Sequence, residues 1–284
     1  MGLKFQKWQA LGNDYLIVER DDLPFDLTPA RIRMMCEAHF GAHSDGVLLL
    51  TPTSDERFVA ELRIYNPDGS EAELSGNGAR EAVLYLRREG WTGDDTFSIS
   101  TAAGPVTPTI TSSRTSRVDM GRASVTSSDY PSGPADGRGT LTAAGRELEF
   151  QHVSIGNPQC VIDAGAELEG LDLSALGPPI ERSELFPNRT NVSFIRVDSD
   201  HGVRARIFER GVGETLSSGT GASGAAVAAV VRGRARSPVT VTLDGGELEV
   251  EVSDDLDVTL TGWAEPVYAG EFSDDFVSKL KEAE

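Results

Sequence analysis

Residues 73–80 read ELSGNGAR and residues 216–223 read LSSGTGAS. Both contain Ser-Gly-x-Gly-Ala, and their serines, Ser75 and Ser218, lie 143 positions apart in a chain of 284 residues. Serine is a good helix N-cap, because its hydroxyl takes one of the backbone N–H groups that a first turn leaves without a partner. Glycine beside it lets a ligand come close to the backbone, and a helix N-terminus is a ready anion site. A phosphate loop is a poor reading, since no Gly-Lys-Ser/Thr follows. Taken singly, either turn is a capped helix start and no more. The doubling is what points to a site.

The repeat extends beyond the two turns. Gly12-Asn13 precedes the run YLIV, and Gly156-Asn157 precedes Pro158 and the strand-like QCVI, at an offset of 144. Each half then runs through strands to a turn rich in glycine and acid (NPDGSEAEL; ERGVGETLS), Ser-Gly-x-Gly and a helix. Two matches in one order at nearly one offset point to duplication. Residues 122–140 (RASVTSSDYPSGPADGRGT) have linker composition near the midpoint and read as the boundary between halves. Two related halves would set two helix N-termini about one carboxylate.

Strand patterns dominate the rest. Candidates are 15–20, 57–66, 96–104, 117–121, 146–156, 190–198, 203–211, 239–244, 247–253 and 257–262, with Asp244-Gly245-Gly246 as a hairpin turn. Helices are expected at Pro29 to Phe40, at Gly76 to Arg88 and at Gly219 to Val231. The last is almost without charge, as a helix buried all round should be.

Composition excludes several functions. The chain carries 45 acids against 26 bases, a net charge of −19. Such a field repels nucleic acid and anionic membranes. No run of 18 apolar residues offers a membrane span. The N-terminal segment lacks the apolar stretch of a signal peptide, so a cytoplasmic location is expected. Only four bases are lysines, at positions 4, 7, 279 and 281. Scarce lysine with abundant acid favours a halophilic, haloarchaeal-like surface adapted to high salt. Cys36 and Cys160 sit in apolar settings and read as buried thiols; metal-ligand spacing is absent.

LGNDY (11–15), NPDGSEAELSGNGAR (66–80), TAAG (101–104), VSIGNPQCV (153–161), FPNRTNVSF (186–194) and ERGVGETLSSGTGA (209–222) together resemble the diaminopimelate epimerase family, from Lys7 to Glu271. The resemblance implies an α/β (α+β) fold of two pseudo-symmetric domains, each a curved, mostly antiparallel sheet wrapped around a central helix. The expected division is residues 1–118 with 265–284 against 119–264, with the substrate in a cleft between them. It implies a pyridoxal-independent isomerase of lysine biosynthesis, which interconverts LL- and meso-diaminopimelate by removing the Cα proton on one face and returning one on the other. By resemblance Asn13, Asn66, Asn157 and Asn191 bind the distal amino acid end, Arg210 pairs its carboxylate, and Glu209 helps bind substrate. Gly76-Asn77 and Gly219-Thr220 give backbone N–H bonds to the carboxylate at the reacting carbon. Independently, a Schiff-base cofactor is disfavoured because the motifs contain no lysine. The expected partners are the small substrate and a second copy of the chain.

The resemblance also implies departures. The family carries a cysteine pair where this chain has Ser75 and Ser218, and a histidine where it has Gln159. A serine hydroxyl is a far weaker acid than a thiol and needs a neighbouring base. Glu209 is the acidic candidate beside Ser218, and His152 lies near the Gly156-Asn157 loop. Three readings stay open: an epimerase whose serines are assisted, another isomerase or dehydratase on the same fold, and an amino-acid-binding homologue of impaired chemistry.

Overall fold

The structure is a computed structural model that describes residues 2–73 and 75–283. The chain divides into two compact units, Met1–Val118 with Trp263–Glu284, and Asp119–Gly262. In the order of the chain, the elements through the first unit are β1 (Leu3–Ala10), β2 (Asn13–Glu19), α1 (Pro29–Cys36), β3 (Val47–Thr51), β4 (Glu61–Tyr65), β5 (Glu71–Ala72), α2 (Gly76–Arg88), β6 (Ile99–Thr101), β7 (Gly104–Val106), β8 (Thr109–Ile110) and β9 (Thr115–Arg122). Then follow β10 (Arg138–Ala143), β11 (Arg146–Ser154), β12 (Pro158–Asp163), α3 (Leu173–Glu181), β13 (Asn191–Ser199), β14 (Gly202–Glu209), β15 (Gly213–Thr215), α4 (Gly219–Val231), β16 (Val239–Leu243), β17 (Gly246–Val252) and β18 (Asp257–Trp263). The chain returns to the first unit through β19 (Glu265–Phe272) and α5 (Asp274–Glu282).

The first sheet runs β19-β1-β2-β3-β4-β6-β7, with β5 on β4. Its pairing alternates: β1–β2 antiparallel, β2–β3 parallel, β3–β4 antiparallel, β4–β6 parallel. The second sheet repeats this sequence of senses in β11–β12, β12–β13, β13–β14 and β14–β16. The repeat seen in two short motifs is therefore a repeat of topology. The two mixed sheets are mostly antiparallel, and each has its own 13-residue helix, α2 or α4, packed on it.

Each sheet is covered on both faces, which explains the continuous apolar runs YLIV and VLLL in its parallel strands. In the first unit Leu16, Val18, Val47 and Leu49 join Ile32 and Met35 of α1 and Val277 and Leu280 of α5 in one cluster. Period-2 alternation sends the intervening residues Tyr15, Ile17, Leu48 and Leu50 to the other face, where α2 packs. In the second unit Cys160, Ile162, Val192 and Phe194 meet Leu173, Leu176 and Ile180 of α3, and α4 covers the opposite face. Both cysteines are buried and free; burial pushes the Cys36 thiol up to about 12.

Several expectations need correction. The linker-like stretch 122–140 is no linker: from Arg122 onward it belongs wholly to the second unit. Tyr130 pins it, its ring packed edge-on or tilted against Phe150, His152 and Phe186. The helix from Pro29 stops at Cys36, and Phe40, expected on its apolar face, is 82 % exposed. Helix α2 reads as amphipathic, yet Asn77 to Leu86 are all buried, Arg80 and Glu81 included.

Candidate active site

Each unit builds the same small constellation. Ser75 and Ser218 are the N-caps of α2 and α4, both in extended backbone geometry. Their hydroxyls accept from the third helical N–H, Gly78 at 3.1 Å and Gly221 at 3.2 Å. Their carbonyls take the fourth, Ala79 at 2.8 Å and Ala222 at 2.9 Å. The first two N–H groups, Gly76 and Asn77 or Gly219 and Thr220, stand outside the intrahelical ladder, at the positive end of the helix dipole.

The two glycines of Ser-Gly-x-Gly have different reasons. A Cβ at Gly78 would lie 3.0 Å from Leu48 Cδ2, and one at Gly221 would lie 2.6 Å from Ile207 Cδ1. The second glycine lets the helix start lie close on its sheet. Among the described residues a Cβ at Gly76 meets nothing within 4 Å, whereas one at Gly219 would lie 3.2 Å from Leu260 Cδ2. Gly76→Ala is therefore expected to keep its melting temperature within a few degrees. Its substrate KM should rise several-fold, because the methyl stands where an anion would approach the N–H groups. Melting curves and initial rates on one preparation check both.

The paired asparagines close onto these helix ends. Asn13 Oδ1 accepts from Asn77 Nδ2 at 3.4 Å, and Asn157 Nδ2 donates to Thr220 Oγ1 at 3.2 Å. Each follows a left-handed glycine, Gly12 (φ 82°) or Gly156 (φ 78°), which turns the chain so that Asn13 opens β2 and Asn157 stands just before β12. Asn13 also donates to Asp45 at 3.0 Å, and Arg80 donates to Asn77 Oδ1 at 3.1 Å. In the second unit Gln159 Nε2 donates to Asn157 Oδ1 at 2.7 Å. Gln159 lies under α4, where a Cβ on Gly224 would come within 2.8 Å of it. Among the described residues its buried Oε1 has no partner.

Other expected site residues are placed as follows. Asn66 donates to Ser70 at 3.0 Å in the turn before β5. Asn191 accepts from the Arg210 backbone N–H at 2.8 Å and donates to the Pro158 carbonyl at 3.4 Å, so it ties the Pro158 and Arg210 segments together. The exposed Arg210 guanidinium donates to the Asn188 carbonyl at 2.7 Å, and its remaining donors suit a carboxylate. Glu209 ends β14, and the buried Ser218 hydroxyl stands near its carboxyl. Burial raises its carboxyl above the ordinary range, and the Ser218 hydroxyl opposes that rise. His152 is not available as a base. Its Nε2 meets the Ser127 hydroxyl at 2.9 Å, its ring packs between Tyr130 and Phe186, and burial lowers its pKa.

Sequence reading missed one residue at this site. The Tyr15 hydroxyl donates to Ser75 Oγ at 3.3 Å. Beside it, Glu81 is fully buried, with neither carboxylate oxygen hydrogen-bonded among the described residues. Burial raises its pKa well above the ordinary range; Asp14 and Asp45 push the same way and Arg80 opposes.

Comparison with known proteins settles the family. The model for diaminopimelate epimerase matches residues 5–126 and 151–267. The chain belongs to the diaminopimelate epimerase family. It is 40 % identical over 278 residues to the diaminopimelate epimerase of Synechococcus sp. (strain JA-3-3Ab), covering 94 % of this chain and 97 % of that one. It is 37 % identical over 287 residues to that of Desulfitobacterium hafniense (strain DSM 10664 / DCB-2), covering 97 % and 100 %. Among solved structures the fold resembles methylitaconate-delta-isomerase, with TM-score 0.66, 14 % identity and coverage of 98 % and 97 %. It also resembles a hydroxyproline epimerase from Agrobacterium vitis, with TM-score 0.65, 17 % identity and coverage of 96 % and 92 %. No helix of the described residues is long and apolar enough to cross a membrane.

Proposed function

We propose that this protein is a cofactor-independent epimerase that interconverts LL- and meso-diaminopimelate with hydroxyl groups, Ser75 and Ser218, at the positions where its family uses thiols. The observation that carries the reading is the doubled constellation within a member of this family: a serine-capped helix start and an asparagine drawn to the helix's second residue.

The N–H groups of Gly76-Asn77 and Gly219-Thr220 would bind the carboxylate of the reacting carbon. Fixed donors there lower the cost of carbanion character at Cα, because they need no reorganisation as charge develops. Asn13, Asn66, Asn157 and Asn191 with Arg210 would hold the distal amino acid group. Inversion needs one group to take the Cα proton and another to return one from the opposite side, and each unit supplies one serine. Ser218 works with Glu209, whose carboxylate accepts the proton through the hydroxyl.

Work in the cytoplasm and pairing with a second copy belong to the same proposal. Support for pairing is β19, an edge strand of the first sheet on which Val267 and Tyr268 are exposed, since an unpaired edge is a template for another chain.

The test is to incubate the protein with LL-diaminopimelate and resolve the stereoisomers over time. Appearance of the meso isomer is expected. Tight binding of the LL isomer with no meso product would leave an amino-acid-binding homologue instead.

A further inference from the structure

We propose that Tyr15 is the positioning residue that supplies and recovers the proton of Ser75, acting through the serine hydroxyl. The inference rests on the epimerase reading above and gives the first unit's serine the partner that Glu209 provides for Ser218.

Hydrogen-bond accounting carries it first. A serine hydroxyl has two acceptor lone pairs and one proton. Ser75 Oγ accepts from the Gly78 N–H at 3.1 Å and from the Tyr15 hydroxyl at 3.3 Å. Both lone pairs are engaged, so the serine's own proton must point elsewhere. The Tyr15 contact is longer than the about 2.7–2.8 Å of a good O–H···O bond, as catalytic hydrogen bonds often are before substrate binds.

The internal repeat carries it next. Tyr15 stands two residues after Asn13, as Gln159 stands two after Asn157. Glu209 lies 143 positions after Asn66. Of these two matched pairs, the first unit has a titratable side chain only at Tyr15 and the second only at Glu209. Each serine thus gains one ionisable partner, but from opposite sides of the repeat.

Electrostatics fixes the roles. Burial raises the Tyr15 phenol above its ordinary value; Glu81 and Asp45 push the same way, and hydrogen bonds to Ser75 and Asn13 oppose them. A phenol that keeps its proton and a carboxylate that accepts one form the acid and base of a two-group inversion. As the carbanion collapses, the Ser75 O–H bond breaks and its proton forms the new Cα–H bond. The Tyr15 proton passes to Ser75 Oγ, and the charge comes to rest on the phenolate, facing Asn13 and the restored serine hydroxyl. The proton taken from Cα has gone through Ser218 to Glu209. The reverse reaction retraces these transfers, and between forward turnovers Glu209 releases its proton to solvent while the phenolate takes one back.

Tyr15→Phe in D2O tests this. The ring, which packs against Gly46, is kept. Inversion is expected to fall about 10-fold or more, while exchange of the Cα proton with retention persists for the isomer whose hydrogen faces the Ser218–Glu209 side. The ratio of exchange to inversion should therefore rise, which a merely structural loss does not produce. In a Ser75→Cys background the same Tyr15→Phe change should alter inversion by less than about 3-fold, since a thiol needs no phenol behind it. If wild-type protein inverts and Tyr15→Phe leaves inversion intact, or lowers exchange and inversion in one proportion, the Tyr15 role is overturned and the epimerase reading stands. If wild-type protein neither exchanges nor inverts, both fall.

Discussion

Ser75→Cys combined with Ser218→Cys is expected to raise the rate of Cα inversion by roughly 10²-fold, the lower bound of what a well-matched acid–base group contributes. A thiol titrates near about 8.5 and can act as thiolate or thiol close to neutral pH, whereas a serine hydroxyl must borrow its acidity or basicity from a neighbour. The surroundings of each position need no other change, because the helix starts and the asparagines stay as they are. The same substitution should cost stability. Each serine caps its helix by accepting from Gly78 or Gly221, and sulfur is the weaker acceptor. Loss of a cap costs about 1 kcal/mol, so the melting temperature should drop by a few degrees per site. Initial rates and melting curves of the same variant decide the matter. Unchanged or slower turnover with normal folding would mean that these serines do not stand at the reacting carbon.

Glu209→Gln should have the largest effect in the other direction, a loss of about 10²–10⁴-fold in turnover. Its amide keeps the shape and a polar tip near Ser218 but cannot take a proton. The pH dependence separates this role from simple positioning. Burial holds the Glu209 carboxyl above its ordinary value of 4.5, so the wild-type rate should fall as pH drops through that raised value. The residual rate of the variant should lack this acid limb. Stability moves oppositely. A group whose folded pKa is raised stabilises fully below its unfolded pKa, and that contribution is lost as pH rises through the folded value. Above that folded value the wild-type protein has lost it. Glu209→Gln should then melt no lower than wild type, and its advantage should vanish in acid. Loss of activity together with loss of stability at neutral pH would point to a structural role.

Much of this was legible in the sequence because it is written in local chemistry. The starts of α2 and α4 follow from serine caps and glycine, and their 13-residue spans match the expected Gly76 to Arg88 and Gly219 to Val231. The duplication was visible in two motifs because the turns at Gly12 and Gly156 demand a left-handed residue. Tertiary context hid the rest. Tyr15 sits in an apolar run and reads as core; only its match in the repeat, Gln159, marks it as polar at a functional place. Arg80 and Glu81 made α2 look half exposed, although the unit encloses both. Helix α3 contains Pro178 and Pro179, which read as breakers. Its start is nevertheless capped by Asp172, which accepts from Ala175 at 3.2 Å. Helix α5 carried good signals that went unread: the Ser273 cap, Asp274 and Asp275 in the first turn, and Lys279 and Lys281 in the last.

The most direct measurement is Cα proton exchange by the unmodified protein, followed by NMR during incubation with LL-diaminopimelate in D2O. Loss of the Cα proton signal with meso isomer appearing is the predicted result, and it requires that Ser75 and Ser218 with their ionisable partners perform the transfer. No exchange from protein that binds the amino acid, with exchange appearing in the double cysteine variant, would contradict it and leave a pocket whose chemistry has been lost.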